Sequence, residues 1–335
     1  MLSLEVILAG AMLVSLSFYS LMAGADYGGG VLDLVAWGPR KRAQRDLIAE
    51  AIGPIWEANH VWLILVIVIL FTAFPPAFAA IATALHIPLT LVLIGIVLRG
   101  SAFTFRAYDR KDDYVQRRWG RVFSIASVIT PVLLGVTVGA IASGRITSQA
   151  ATVDFFSSWL APFPFAVGLF ALALFTFLAA VYLTLETDDA QLREDFRRRA
   201  LAAAIVVGVM ALVVFLLSAT GAPRVRRGLG ASWWTWPLQI ATAVMAVGAI
   251  TSLWTRRFRL ARFCAAAQTT LILWGWAAAQ FPYLVEPDLT IHNAAAPDIT
   301  MRLVLIALVA GAFLLFPSFY YLFRVFKSGG VRQAH

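Results

Sequence analysis

The chain has 335 residues, of which 61% are hydrophobic and only 13% are charged, and its mean hydropathy is +0.81. Soluble domains carry about 25% charged residues, so this composition excludes a soluble protein and indicates a polytopic membrane protein. A single cysteine, Cys264, excludes both an internal disulfide framework and a thiolate metal cluster built within the chain.

Apolar runs divide the chain into nine predicted membrane spans, since a spanning helix needs about 20 such residues. They cover residues 4–24, 60–75, 78–98, 122–142, 164–185, 200–219, 236–254, 263–281 and 299–322. A turn at Phe74–Pro76 joins the second span to the third, and Pro88 is expected to kink the third. No loop is long enough for a soluble domain, so residues 1–335 are predicted to form one all-α membrane domain.

The basic residues are distributed unevenly among the loops. Most of the 27 Lys and Arg residues lie in the C-terminal tail and in the loops at 37–59, 99–121, 186–199 and 255–262. By the positive-inside rule this pattern predicts an external N-terminus and a cytoplasmic C-terminus. Membrane topology therefore explains the formal net charge of +9, and nucleic-acid binding is not expected.

The first span ends in a glycine-rich polar segment, residues 24–30, that contains Asp26. At 1.5 Å per residue, Asp26 lies about 33 Å along the helix from Leu4, at the cytoplasmic boundary. The glycines either open or end the helix, or let another backbone approach closely. Asp33 follows on the same face if the helix continues, and the alternative is a mere helix-end cluster at the lipid headgroups.

An acidic residue, Glu57, stands at the threshold of the second span within the sequence Gly-Pro-Ile-Trp-Glu-Ala-Asn-His-Val-Trp-Leu-Ile at 53–64. A carboxylate at the edge of hydrocarbon is costly unless it is paired, hydrated or used. Two interpretations follow. Glu57 either takes up protons, or it is an acid in the first turn of a helix that the macrodipole favours.

The neighbours of Glu57 add polar and aromatic groups to the same segment. Asn59 and His60 lie on overlapping faces of the predicted helix with Trp56 and Glu57. His60 either relays a proton to or from Glu57 or is a hydrogen-bonded structural histidine. Trp56 and Trp62 are interpreted as interfacial anchors.

The third predicted span carries His86 in its interior and Arg99 at its end. Arg99 is therefore expected at the cytoplasmic depth of Asp26 and Glu57, where its charge would hold the two carboxylates ionised or in a network. The topology predicts shared depth and leaves contact open.

Nothing in the sequence resembles a metal-ligand cluster, a phosphate-binding loop or a nucleophilic triad. His86 is the one histidine predicted well inside the membrane, and a haem needs an axial ligand. No second histidine or methionine is predicted at a matching depth, so no haem, metal or other cofactor is expected to bind directly to this chain.

Taken together, these polar segments resemble subunit II of the cytochrome bd-type quinol oxidases. The resemblance extends over nearly the whole chain, in the same order and with nine crossings. It is carried by residues 24–33, 53–64, 98–99, 281–284 and 289–293. The short loops and the compact C-terminus are most similar to the cyanide-insensitive branch.

The resemblance implies a heterodimer in which subunit I carries two b-type haems, haem d and the quinol site. Subunit II would be pseudo-symmetric to it, with four-helix bundles at 1–142 and 164–281 and an additional helix at 299–322. Small single-helix accessory subunits and a structural quinone are further partners that the family implies.

The resemblance also gives roles to individual residues. Glu57 matches the family acid that helps take protons from the cytoplasm, although many members have Asp there. Trp56, Asn59 and Trp62 match the motif that supports this acid, and His60 replaces a frequent Gln. Asp26 and Arg99 match polar residues of helices 1 and 3.

The expected protein is a multi-pass subunit in a bacterial or archaeal cytoplasmic membrane. Its complex would reduce oxygen to water with electrons from quinol and protons from the cytoplasm. Two alternatives stay open at this point. One is a purely structural subunit for assembly, and the other is a secondary transporter. The charges are predicted at the cytoplasmic edge rather than at the midplane, which argues against a transporter.

Overall fold

The computed structural model describes residues 3–52, 59–108, 113–146, 156–231 and 233–328. Within these ranges the chain is helical apart from one short antiparallel hairpin. The helices are α1 (Leu4–Leu34), α2 (Lys41–Ile52), α3 (Val61–Ala73), α4 (Pro75–Ala84), α5 (His86–Tyr108), α6 (Asp113–Ala142), α7 (Pro162–Leu183), α8 (Ala190–Gly221), α9 (Pro223–Ala231), α10 (Thr235–Trp254), α11 (Phe258–Gln280) and α12 (Asp298–Ser328), and the hairpin is β1 (Tyr283–Val285) with β2 (Leu289–Thr290).

Seven of the described helices, α1, α5, α6, α7, α8, α10 and α12, are long and apolar enough to cross a membrane. Helices α3 and α4 form a bent pair that raises the number to eight if the pair is one span. The predicted span 263–281 corresponds to α11, which has 23 residues. Its arginine, glutamine and threonine residues lower its mean hydropathy, so α11 is not among the seven helices that qualify as spans.

The predicted third span, 78–98, is wrong in its bounds. The chain bends by 118° between α3 and α4, because Pro75 and Pro76 cannot continue the preceding helix and are tolerated in the first turn of the next. A second break falls at Leu85, between α4 and α5. Pro88 therefore lies in the first turn of α5 rather than at a kink in its middle, and Arg99 is interior to α5 rather than at its end.

The glycine-rich segment of α1 does not end the helix, which continues for 31 residues to Leu34. Instead it allows close helix contacts. A Cβ atom at Gly28 would lie 2.0 Å from the carbonyl oxygen of Phe175 in α7, and one at Gly30 would lie 2.2 Å from the Ser127 Oγ in α6. Of the expected roles for these glycines, the structure supports close approach.

Three of the predicted basic loops meet at the end of the molecule where α1 terminates. The Arg40 guanidinium binds the Asp195 carboxylate through two hydrogen bonds of 2.8 and 2.7 Å, which joins the start of α2 to α8. Arg262 at the start of α11 lies 3.8 Å from Glu186 in the connection between α7 and α8. This arrangement groups residues 37–52, 186–199 and 255–262 on one side.

Two apolar clusters stabilise the two ends of the molecule. One surrounds Tyr27 and Phe177 near the C-terminal half of α1. The other contains Leu8, Phe74 and Val285 and joins the N-terminal half of α1 to the α3–α4 bend and the hairpin. Helix α12 packs against α1 and α3 and leaves most of its apolar surface exposed.

Candidate functional site

A buried polar cluster lies between α1, α5, α6 and the residues that precede α3. Its three central members are Asp26, Asn59 and Arg99, which are only 6%, 1% and 2% exposed. They belong to three separate elements of the chain. Because a charged group in an apolar medium must be paired or hydrogen-bonded, the partners of these side chains define what the cluster can do.

Asp26 and Asn59 are joined directly. The Asn59 side-chain amide donates a hydrogen bond to the Asp26 carboxylate, while the Asn59 Oδ1 atom has no donor among the described residues. This bond fixes the segment before α3 against α1. Glu57 and Trp56, which the sequence predicted for the same site, lie outside the described residues.

Arg99 supplies the positive charge of the cluster. Its Nε donates to the Ser127 Oγ at 3.1 Å, and its guanidinium carbon lies 4.9 Å from the Tyr27 ring centroid and 5.0 Å from that of Phe123. Cation–π contacts of this kind are strongest where water is excluded. Its charge is near enough to act on the Asp26 carboxylate, and compensation of that carboxylate by Arg99 stays a prediction.

Two tyrosines and a histidine extend the cluster. The hydroxyl groups of Tyr19 and Tyr27 lie 3.4 Å apart. The His60 ring is half-buried and its centroid lies 6.0 Å from that of Tyr19 and 6.2 Å from that of Tyr27. His60 therefore adjoins the cluster, and the choice between a relay and a structural role stays a prediction.

Trp62 is not an interfacial anchor. Its ring is buried and stacks on Phe18 of α1 at 4.5 Å and on Phe319 of α12 at 5.8 Å. The anchor interpretation of Trp62 is wrong because α12 covers the face of α3 that bears this residue. Trp62 supports the cluster by holding α3 between α1 and α12.

The sequence reasoning missed the serines of α6. Ser127 binds Arg99, and the Ser124 hydroxyl donates to the Asp33 carboxylate at 2.8 Å. Ser124, Ser127 and Thr130 recur at three-residue spacing in an otherwise apolar helix and are all buried. Residues three apart share a helix face, so this polar stripe was the signal that pointed to α6 as a wall of the site.

A cavity of about 210 Å³ adjoins the cluster. Its lining includes the buried residues Asp26 and Asn59 and the partly exposed residues Glu186 and Arg262. It therefore lies between the buried polar groups and residues of the connecting loops.

Three of the four histidines lie among the described residues. His86 is exposed at the first residue of α5, where its Nδ1 lies 2.9 Å from the Thr83 carbonyl oxygen, so its predicted position well inside the membrane is wrong. His60, His86 and His292 lie on separate elements, and none of them lines the cavity. Among the described residues no three His, Cys, Asp or Glu side chains are grouped so as to hold a metal ion.

The fold and the site define a multi-pass helical membrane protein in which Asp26, Asn59 and Arg99, from three separate elements, meet in one buried polar cluster. The family model described as "Cytochrome bd terminal oxidase subunit II" matches residues 4–326. The chain belongs to this family, which confirms the resemblance found in the sequence.

Relatives and a solved structure agree with this assignment. The chain is 22% identical over 321 residues to the "Putative cytochrome bd menaquinol oxidase subunit II" of Bacillus subtilis, covering 92% of this chain and 91% of the relative. It is 26% identical over 218 residues to the "Cytochrome bd-I ubiquinol oxidase subunit 2" of Escherichia coli, covering 63% and 54%. The fold matches "The structure of bd oxidase from Geobacillus thermodenitrificans" with a TM-score of 0.83 and 22% identity, over 98% of this chain and 100% of that one.

Family membership makes the chain a subunit of a quinol oxidase, which is a membrane-bound oxidoreductase complex of the respiratory chain. It implies a partner subunit I and places the haems of the complex in that partner. The apolar helices and the bacterial relatives support a multi-pass protein of the inner membrane.

Proposed function

We propose that this chain supports the haem-bearing subunit I and contributes a proton-uptake path from the cytoplasm for the reduction of oxygen to water. The observation that carries the proposal is the burial of Asp26 against Asn59, within the electrostatic reach of Arg99. A carboxylate held in this way is a proton carrier at the depth where uptake has to begin.

The chemistry follows from the surroundings of Asp26. Oxygen reduction consumes protons, and these have to cross apolar protein from water. A carboxylate that is buried, hydrogen-bonded and opposite a cation is able to exist in both protonation states. In this proposal Asp26 and Glu57 carry the proton, Asn59 orients Asp26, and Arg99 balances the negative charge. Trp56 and Trp62 position the segment, and His60 adjoins the path.

The finer topology belongs to the same proposal. We place the N-terminus outside and the C-terminus in the cytoplasm. The nine crossings are the seven helices that qualify singly, the bent pair of α3 and α4, and α11. The bundles are 1–142 and 164–281, and 299–322 is the additional helix. The meeting of three basic loops at one end of the molecule supports this orientation. The structural quinone and the single-helix accessory subunits stay predictions of the resemblance.

The test is Asp26→Asn in the purified two-subunit complex. We expect quinol-dependent oxygen consumption to fall by about tenfold or more, as for loss of a positioned proton carrier, with the haem spectrum and the yield of complex unchanged. Glu57→Gln is expected to behave in the same way. The matched control is Asp33→Asn, another buried acid of α1, which binds Ser124 rather than the cluster.

Two results would contradict the proposal in different ways. Turnover at the parent rate in Asp26→Asn removes this residue from the path. A lower yield of complex with normal turnover per haem assigns Asp26 to assembly alone, which is the structural alternative. The hydrogen bond between Asn59 and Asp26, which joins two elements, favours that alternative. Family membership leaves the transporter alternative without support.

A further inference from the structure

The cavity beside Asp26 has two unlike ends. At its inner end are Asp26 and Asn59, which are almost fully buried. At its outer end are Glu186 and Arg262, whose side chains are 31% and 41% exposed. The cavity therefore connects the surface to the carboxylate at the centre of the buried cluster.

The outer end of the cavity carries an acidic residue, Glu186, beside Arg262. The Arg262 Nη1 lies 3.8 Å from the Glu186 Oε1, and the Arg262 guanidinium carbon lies 4.7 Å from the centroid of the Tyr182 ring. Tyr182 also lines the cavity. The aromatic ring and the carboxylate hold the guanidinium between them, so Glu186 is kept at the mouth of the cavity by groups that belong to its wall.

The size of the cavity suits water, and its polar groups lie among mostly apolar walls. At about 30 Å³ per molecule, a volume of about 210 Å³ holds roughly seven waters. Buried water needs polar partners, and the cavity offers them at both ends. Small residues, Ala25, Gly29 and Ala51, form part of the wall between them. The volume lies below the roughly 300 Å³ at which ligand pockets begin.

We infer that this cavity is a hydrated proton inlet, with Glu186 as its outer acid, Arg262 as the residue that positions Glu186, and Asp26 as the acceptor at its inner end. The inference rests on the proposed function of Asp26 and adds a source for its protons.

The transfer is a relay in which only O–H bonds form and break. The ionised carboxylate of Glu186 takes a proton from bulk water and releases it to the first water of the cavity. The chain of waters passes a proton to the Asp26 carboxylate, and Asp26 is ionised again when its proton moves on through the cluster.

Two kinds of variant test the inlet in the purified two-subunit complex. Glu186→Gln removes the outer acid, and Ala51→Leu fills the cavity from α2. Asp188→Asn is the control for the first, because Asp188 is a fully exposed acid of the same loop that does not line the cavity. Ala43→Leu is the control for the second, because Ala43 is an exposed residue of the same helix.

The readouts are the rate of proton uptake, followed with a pH dye during a single turnover, and the rate of electron arrival at the haems. We expect Glu186→Gln and Ala51→Leu to slow proton uptake by about threefold to tenfold, which is less than the roughly 10²–10⁴-fold effect of a group that transfers a proton at the reacting centre. Electron arrival at the haems and both control variants are expected to match the parent complex. Ala25→Leu fills the same cavity from α1 and replaces Ala51→Leu if that complex does not assemble.

The outcomes separate this inference from the proposed function. If Asp26→Asn slows uptake while Glu186→Gln and the filled cavity leave it unchanged, the inlet is refuted and the proposed function stands. If Asp26→Asn also leaves proton uptake unchanged, both the proposed function and the inlet are refuted. If the controls slow uptake as much as the test variants, general disturbance of this surface explains the result and the inlet is refuted.

Discussion

The side-chain amide of Asn59 donates a hydrogen bond to the carboxylate of Asp26 across 33 positions of sequence. Both side chains are buried, and the bond links α1 to the residues that lead into α3. The state of Asp26 is therefore coupled to the position of the residues that lead into α3. This coupling makes Asn59 a positioning residue for the proposed proton path.

The first prediction concerns that bond. Asn59→Ala leaves a buried carboxylate without its donor, which costs about 1–3 kcal/mol, so we expect a lower midpoint of thermal unfolding and slower oxygen consumption by the complex. In a double-mutant cycle with Asp26→Asn, the two changes are expected to be non-additive by about 0.5–3 kcal/mol, as for residues in contact. Strict additivity of the two effects would show that the bond contributes nothing to stability.

The second prediction concerns Arg99. Arg99→Lys keeps the charge that compensates Asp26 but loses the planar group that contacts Tyr27 and Ser127. We expect it to destabilise the complex by about 2 kcal/mol, as for a desolvated cation–π contact, and to retain more turnover than Arg99→Gln, which also removes the charge. Thermal unfolding and oxygen consumption at matched haem content measure the two effects separately.

Arg226 provides the control for this comparison. Its guanidinium carbon lies 4.6 Å from the centroid of the Phe215 ring at an exposed site. Arg226→Lys is expected to cost about 0.5–1 kcal/mol, the range for exposed cation–π pairs, and to leave turnover unchanged. Equal losses at Arg99 and Arg226 would contradict a special role for the buried charge.

Composition and apolar run length were sufficient to predict the class of fold, because every membrane span has to satisfy its own backbone and present apolar side chains. Three of the five basic segments meet at one end of the described structure, as expected for loops on one side of a membrane. Arg99 was correctly expected to share the surroundings of Asp26, because topology brings both helices to one depth. These conclusions needed only local composition and the order of the elements.

Contacts between side chains on different helices were less predictable. Trp62 is at a helix end in the sequence, and only its stacking on Phe18 and Phe319 shows that α12 covers it. His86 was placed inside a span because the breaks at Phe74 and Leu85 depend on the geometry of successive turns and not on hydropathy. The cavity that joins Asp26 to Glu186 has no sequence signature, because its walls come from four separate helices.

The third prediction concerns the contact between α1 and α7. In Gly28→Ala the added Cβ would lie 2.0 Å from the Phe175 carbonyl oxygen and 2.8 Å from the Ala179 Cβ. Overpacking of this kind costs about 1–3 kcal/mol, and the two helices have to move apart near Asp26. We expect a lower midpoint of thermal unfolding and a reduced yield of complex.

The control for Gly28 lies in the same helix. A Cβ at Gly10 would meet no atom within 4 Å, so Gly10→Ala is expected to leave both the unfolding midpoint and the yield unchanged or slightly raised, since alanine is the better helix former. A similar loss in both variants would mean that glycine is needed in α1 for a reason other than close approach.

The last prediction concerns pH and the opposite end of the molecule, where Glu286 of the hairpin lies within 4 Å of the Cβ position of Gly144. Burial raises the pKa of Glu286 above its ordinary value of 4.5, against the opposing effect of the Arg224 and Arg227 charges. The folded protein then binds this proton more tightly than the unfolded chain does. The contribution of Glu286 to stability is therefore greatest below pH 4.5 and falls as the pH rises through the folded-state pKa.

Glu286→Gln replaces the carboxylate by a neutral group of similar shape, so the loss of stability with rising pH is expected to become smaller. The variant should match the parent complex below pH 4.5 and unfold at a higher temperature at neutral pH, as measured by thermal unfolding across a pH series. Asp288→Asn, an exposed acid of the same hairpin, is the control and is expected to leave the pH dependence unchanged. A lower unfolding temperature for Glu286→Gln at neutral pH would show instead that the attraction of Arg224 and Arg227 outweighs the cost of burying the carboxylate.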